Sequence, residues 1–272
     1  MPSRAPQAPA AFSSSWRTLA VVGLVALSVT ACQKRDKLDV TGSVGTPREA
    51  TQEEWRQALE AWRPRHEANP GDATAALQYA AALRALDQRP QAAAVLQQAA
   101  IRNPDQPEIL AAYGKVLADV GRYKEAAEVL SRAHTPERPN WRVLSTQGTV
   151  ADQLGDPTLA QQYYEAALKL VPDEPSVLSN LGLSQALAKR LPEAERTLRK
   201  AAALPGADKR VRRNLALVLG LQGKLAEADS VLKTDLTAEE SAKVMADLRG
   251  LVSQPNSWAA IKRADGKAKA TN

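Results

Sequence analysis

Residues 107–140 read PEILAAYGKVLADVGRYKEAAEVLSRAHTPERPN, and residues 141–174 read WRVLSTQGTVADQLGDPTLAQQYYEAALKLVPDE in the same register. Aligned on Gly114 and Gly148, the two stretches repeat with a period of 34 residues. Stepping outward by that interval reaches Gly182, then Ala216, and in the other direction Ala80, so one column holds only small residues. A second column, twelve residues on, reads Ala92, Ala126, Ala160, Ala194 and Ala228 without exception. A third reads Leu96, Leu130, Tyr164, Leu198 and Leu232. Between the first two, Gly121, Gly155 and Gly223 mark a turn, with Asp87 and Lys189 at the same place in the other two units. Pro104 and Pro172 fall in register near a unit's end, and Pro139 and Pro205 lie within a residue of it. A period of this length signals stacked helical hairpins, none of which buries its apolar face alone.

The columns resemble the tetratricopeptide repeat (TPR) over residues 73–236. The resemblance implies an all-α fold, a right-handed TPR superhelix (α-solenoid) of five repeats with helical caps. The units are 73–106, 107–140, 141–174, 175–208 and 209–236. Small residues at Gly114, Gly148, Gly182, Ala92, Ala126, Ala160, Ala194 and Ala228 sit where backbones approach closest, and larger side chains there overpack the contact. The Leu/Tyr column is expected to fill the space between successive units. Thr51-Gln52-Glu53-Glu54 and Thr237-Ala238-Glu239-Glu240 are capping boxes, opening an N-terminal capping helix at 51–70 and a C-terminal one at 237–253. Residues 254–272 read as a flexible tail.

Composition agrees with a helical protein. Of 272 residues, 44% are hydrophobic but only 4% aromatic, so the core is built mostly from Ala and Leu, which favour helices over strands. A net charge of +6, from 36 basic and 30 acidic residues, is too even for a dedicated nucleic-acid binder.

The N-terminus reads as an address. Arg4 and Arg17 without an acid precede an apolar run from Leu19 to Val29, the pattern of a secretory signal. The run ends in Val29-Thr30-Ala31-Cys32, which resembles a bacterial lipobox, and Cys32 is the only cysteine in the chain. The resemblance implies removal of residues 1–31 and a Cys32 that carries diacylglycerol and an amide-linked acyl chain such as palmitate. Several chains make a stable membrane anchor where one does not. Gln33, in place of Asp, implies export to the periplasmic face of the outer membrane. Residues 32–50, with Gly42, Ser43, Gly45 and Pro47, read as a flexible tether.

Catalytic signatures are missing: the sequence contains no GxGxxG, GxxxxGK[ST], HExxH or GxSxG. One Cys and two His leave no basis for a cysteine zinc site or a histidine metal cluster. His66 and His134 recur at one repeat position near the end of a second helix, where the helix dipole favours a cation. A non-enzyme without cofactor, metal or small-molecule substrate is expected. Its function rests on the concave face formed by the first helices. That face is mixed and polar through the first three units, with Thr74, Leu77, Ala81, Arg84, Glu108, Ala111, Lys115, Asp119, Arg142, Ser145, Thr149 and Asp152. Toward the C-terminus it becomes apolar with a cationic rim, and Leu183, Leu187, Arg210, Arg213, Leu217 and Leu221 are the candidate partner-binding residues. The same leucines could instead pack against the capping helix. The Asn of a chaperone-type carboxylate clamp is absent, its position being taken by Ala81, Lys115, Thr149, Leu183 and Leu217.

The stretch Arg213-Asn214-Leu215-Ala216-Leu217-Val218-Leu219-Gly220-Leu221-Gln222-Gly223-Lys224-Leu225-Ala226-Glu227-Ala228 is similar to the last repeat of TadD proteins, and Gln254-Pro255-Asn256-Ser257-Trp258 is similar to their C-terminal end. These are TPR lipoproteins of the tight-adherence (Flp pilus) system. The resemblance implies a protein-binding role in pilus assembly, with the secretin as the expected partner. A pilotin or outer-membrane assembly lipoprotein of another system, or an adaptor recruiting peptidoglycan hydrolases, is the alternative.

Overall fold

The computed structural model describes residues 50–253. Cys32, the signal segment, nearly all of the tether and the tail 254–272 lie outside the described residues. Among the described residues twelve helices run in order: α1 (Gln52–Ala68), α2 (Ala73–Ala85), α3 (Arg89–Arg102), α4 (Pro107–Asp119), α5 (Tyr123–Ser131), α6 (Trp141–Leu154), α7 (Pro157–Leu170), α8 (Pro175–Leu187), α9 (Leu191–Ala203), α10 (Lys209–Leu221), α11 (Leu225–Leu232) and α12 (Ala238–Val252). Each packs on the next, and α2, α4, α6, α8 and α10 also touch one another in sequence. These even-numbered helices therefore form one wall of a TPR solenoid.

The turn column sets the hairpins. Asp87, Gly121, Gly155, Lys189 and Gly223 all have positive φ, between 61° and 91°. The next residue in each unit donates its N–H to a carbonyl five residues back, as Arg122 does to Leu117 at 2.9 Å and Asp156 to Ala151 at 2.9 Å. This is the Schellman closure of a helix end, which needs a left-handed residue at that point.

In the second, third and fourth hairpins the small residue meets the bulky one of the same unit. A Cβ added to Gly114 would lie 2.5 Å from Leu130, one on Gly148 2.5 Å from the Tyr164 ring, and one on Gly182 2.6 Å from Leu198. The Leu/Tyr column thus fills space inside its own unit, and its residues belong to core clusters that run on into the next unit. Ala92, Ala126, Ala160, Ala194 and Ala228 are all wholly buried. Tyr164 is pinned further: its hydroxyl donates to Asp152 at 3.0 Å, and Ser184 of the next unit donates to the other Asp152 oxygen at 2.7 Å.

The ends are covered. The Thr51–Glu54 capping box opens α1, whose Leu59 is buried beside the first unit. Thr237 and Glu240 exchange the same two hydrogen bonds at the start of α12. Met245 and Leu248 of α12 are buried in the last core cluster, with Leu248 seated on Gly220. His66 differs from the dipole expectation. It stacks on Tyr79 at 5.4 Å, and burial, aided by the Arg102 charge, lowers its pKa and favours the neutral ring. His134 lies three residues past the end of α5 and meets Gln147 at 3.0 Å.

A carboxylate ties the fourth unit to the fifth. Glu195 accepts from Lys224 at 2.8 and 2.9 Å, from Arg199 at 2.6 Å and from Gln222 at 2.8 Å. Lys224 foremost, then Arg199 and Gln222, hold its pKa at about 2 against the opposing effect of burial.

Two predictions follow from this packing. Gly148→Ala should lower stability in urea, because overpacking against a fixed ring costs roughly 1–3 kcal/mol and outweighs about 1 kcal/mol of helix propensity. Gly250→Ala, where an added Cβ meets nothing within 4 Å, should instead stabilise; equal effects at the two sites would contradict the close-approach account. Glu195 has a folded pKa below its unfolded value, so its contribution is complete above pH 4.5 and disappears as pH falls toward 2. That amounts to roughly 3 kcal/mol at most. A pH series of denaturant melts should show this acid limb flattened in Glu195→Gln.

Candidate partner-binding groove

The inner wall encloses a cavity of about 500 Å³ lined by residues of all five inner helices. Leu77, Ala111, Ala112, Ala118, Trp141 and Val143 supply its apolar surface. Rungs join successive inner helices at a spacing of 35 residues. Arg84 pairs with Asp119, Asn180 Nδ2 donates to Ser145 at 3.2 Å, and Asn214 Nδ2 donates to Ser179 at 2.9 Å. The partly buried Arg84–Asp119 pair holds the first unit against the second.

The charges around the cavity do not all have partners. Glu174 caps α8 by accepting from Ser176 N–H at 3.2 Å, and Asp208 caps α10 by accepting from Val211 N–H at 2.9 Å. Arg142 stacks on Trp141, its guanidinium 4.4 Å from the ring centre, an arrangement in which the ring face attracts the cation. Glu108 has no ion-pair partner among the described residues, and Lys115 of α4 likewise has no carboxylate within ion-pair distance among them. Burial first, then Arg84, Arg142 and Arg210, lower its pKa to about 8, with Asp119 opposing. Cations from units 1, 2, 3 and 5 thus act on one point, which the curvature of the wall makes possible.

One tetratricopeptide-repeat model matches residues 77–140 and again 145–208, and a second tetratricopeptide-repeat model matches 209–233. The chain belongs to the tetratricopeptide-repeat family. Solved TPR structures with the same fold include PilW, a widely conserved type IV pilus biogenesis factor, at 22% identity, covering 71% of this chain and 91% of PilW with a TM-score of 0.61. PilF of Pseudomonas aeruginosa is 22% identical over 78% of this chain and 91% of its own, with a TM-score of 0.53. No curated protein matches the chain significantly.

In this TPR groove Arg210 is the one residue of the C-terminal candidate set that lines the cavity. Leu183 is buried, only 7% exposed, because α8 is contacted by α6, α7, α9 and α10. Leu217 is half-buried against the core that holds Met245 and Leu248, and Leu187 and Leu221 are also half-buried. Arg213 is exposed outside the cavity. The opening lies instead along the mixed stretch, where Leu77, Arg84, Glu108, Ala111, Lys115, Asp119, Arg142, Ser145 and Thr149 do line it. Thr74, Ala81 and Asp152 do not; Asp152 is buried between α6 and α8. Residue spacing shows which positions face inward, but not that a lysine among them is left without a counter-ion.

The unpaired amine gives a direct test. Acylation of Lys115, followed by mass spectrometry across pH, should reach half its limiting rate near pH 8. Arg210→Gln should move that midpoint upward, since it removes a charge that opposes protonation; an unmoved midpoint would contradict the clustering.

Proposed function

We propose that this protein is a non-catalytic, lipid-anchored TPR scaffold on the periplasmic face of the outer membrane. In this reading it serves a TadD-like role in assembly of the Flp pilus apparatus, holding the secretin or its partners in the concave groove. The observation that carries the reading is a single cavity lined by all five inner helices, which is a surface for one extended protein segment. The lipobox ending in Cys32 and the TadD-like stretch 213–228 support the location and the system. Likeness of fold to PilW, a type IV pilus biogenesis factor, favours service to a type IV pilus apparatus as the second reading.

The test is the multimer state of the outer-membrane secretin on a non-dissociating gel, in the native strain, a deletion and Cys32→Ser. Loss of the multimer in the deletion is the expected result, and the Cys32→Ser lane separates the anchor from the scaffold. An intact multimer with pili on the surface would overturn the assembly reading and leave the hydrolase adaptor in its place.

A further inference from the structure

We propose that the cavity is a seat for an acidic peptide, in which a carboxylate side chain of an extended partner segment pairs with Lys115 in the cavity that Arg210 also lines. The inference rests on the reading that the concave groove is the partner surface, and not on which apparatus the protein serves. An amine with no counter-ion among the described residues, set among guanidiniums from three other repeats, is unfavourable in the empty protein. Arg210 reaches its nearest carboxylate, Asp208, only at 3.8 Å, while Asp119 is engaged by Arg84. A guest carboxylate would supply the missing charge, and the apolar surface around Leu77 and Trp141 would take its neighbouring side chains.

The wall also limits what the guest can be. Glu108, Asp119, Glu174 and Asp208 stand in the same lining, and a polyanion such as nucleic acid or a run of acids would meet them. One or two carboxylates between apolar residues fit this pattern. The chain's own C-terminal segment does not, since Lys262, Arg263, Lys267 and Lys269 outnumber Asp265 there.

The experiment selects a displayed random dodecapeptide library on the purified full chain in detergent. Selected sequences are then measured as synthetic peptides by fluorescence anisotropy, beside versions with Glu→Gln or Asp→Asn. Acidic residues flanked by apolar ones should be enriched. Binding should weaken at least tenfold in Lys115→Met, in Arg210→Gln and on neutralising the peptide. Arg213→Gln, which removes a cation outside the cavity, should bind as the native protein does. Lys115→Met should melt at the native temperature or above it, because the variant removes a repelled charge; a merely structural lysine would melt lower. Selected peptides that bind equally well when neutralised, undiminished binding in Lys115→Met, or a library yielding no binder would each overturn the acidic seat. The secretin gel is independent of this result: a multimer lost on deletion with no acidic peptide selected sinks the seat and leaves the assembly reading standing.

Discussion

The three central units of this solenoid depend on the absence of a side chain at one helix–helix contact. Gly114, Gly148 and Gly182 allow Leu130, Tyr164 and Leu198 to press onto bare backbone, at distances no Cβ could share. Close-packed interiors transmit such a constraint, because a helix displaced by one methyl group displaces whatever rests on it. The hairpin angle set there decides how the next pair stacks, and so the curvature that brings the inner helices around a common cavity. At the C-terminal end the same device recurs between Gly220 and Leu248, where α12 covers the last unit.

Polar contacts then tie neighbouring units together. The Arg84–Asp119, Ser145–Asn180 and Ser179–Asn214 rungs all span 35 residues, one more than the repeat. The extra residue reflects the rotation of each inner helix relative to the one before it. Away from the cavity, Glu195 satisfies Lys224, Arg199 and Gln222 together, and Asp152 receives Tyr164 and Ser184. Such buried acceptors are tolerated only when their partners are complete.

Lys115 has no such partner among the described residues. A scaffold built for stability alone would pair it or replace it, and its depressed pKa is the sign of a charge held at a cost. Binding surfaces carry features of this kind because a partner, not the fold, completes them. In the proposed reading, this separates residues that hold the solenoid together from those that face a partner.

The period of 34, the small-residue and alanine columns, the left-handed turn at Asp87, Gly121, Gly155, Lys189 and Gly223, and both capping boxes were legible in the sequence. They are local or strictly periodic, so identity and spacing carry them. The lipobox-like stretch ending in Cys32 is likewise a linear pattern, but it lies outside the described residues. Whether the Leu/Tyr column faced its own unit or the next depended on which helices come into contact, and Leu183 was hidden by four neighbouring helices that no single repeat reveals. The position of the cavity, and the meeting there of Arg84, Lys115, Arg142 and Arg210, belong to the tertiary structure alone. Residues more than a hundred positions apart act on one amine only after the stacked hairpins have turned through several units, and that rotation is set by packing.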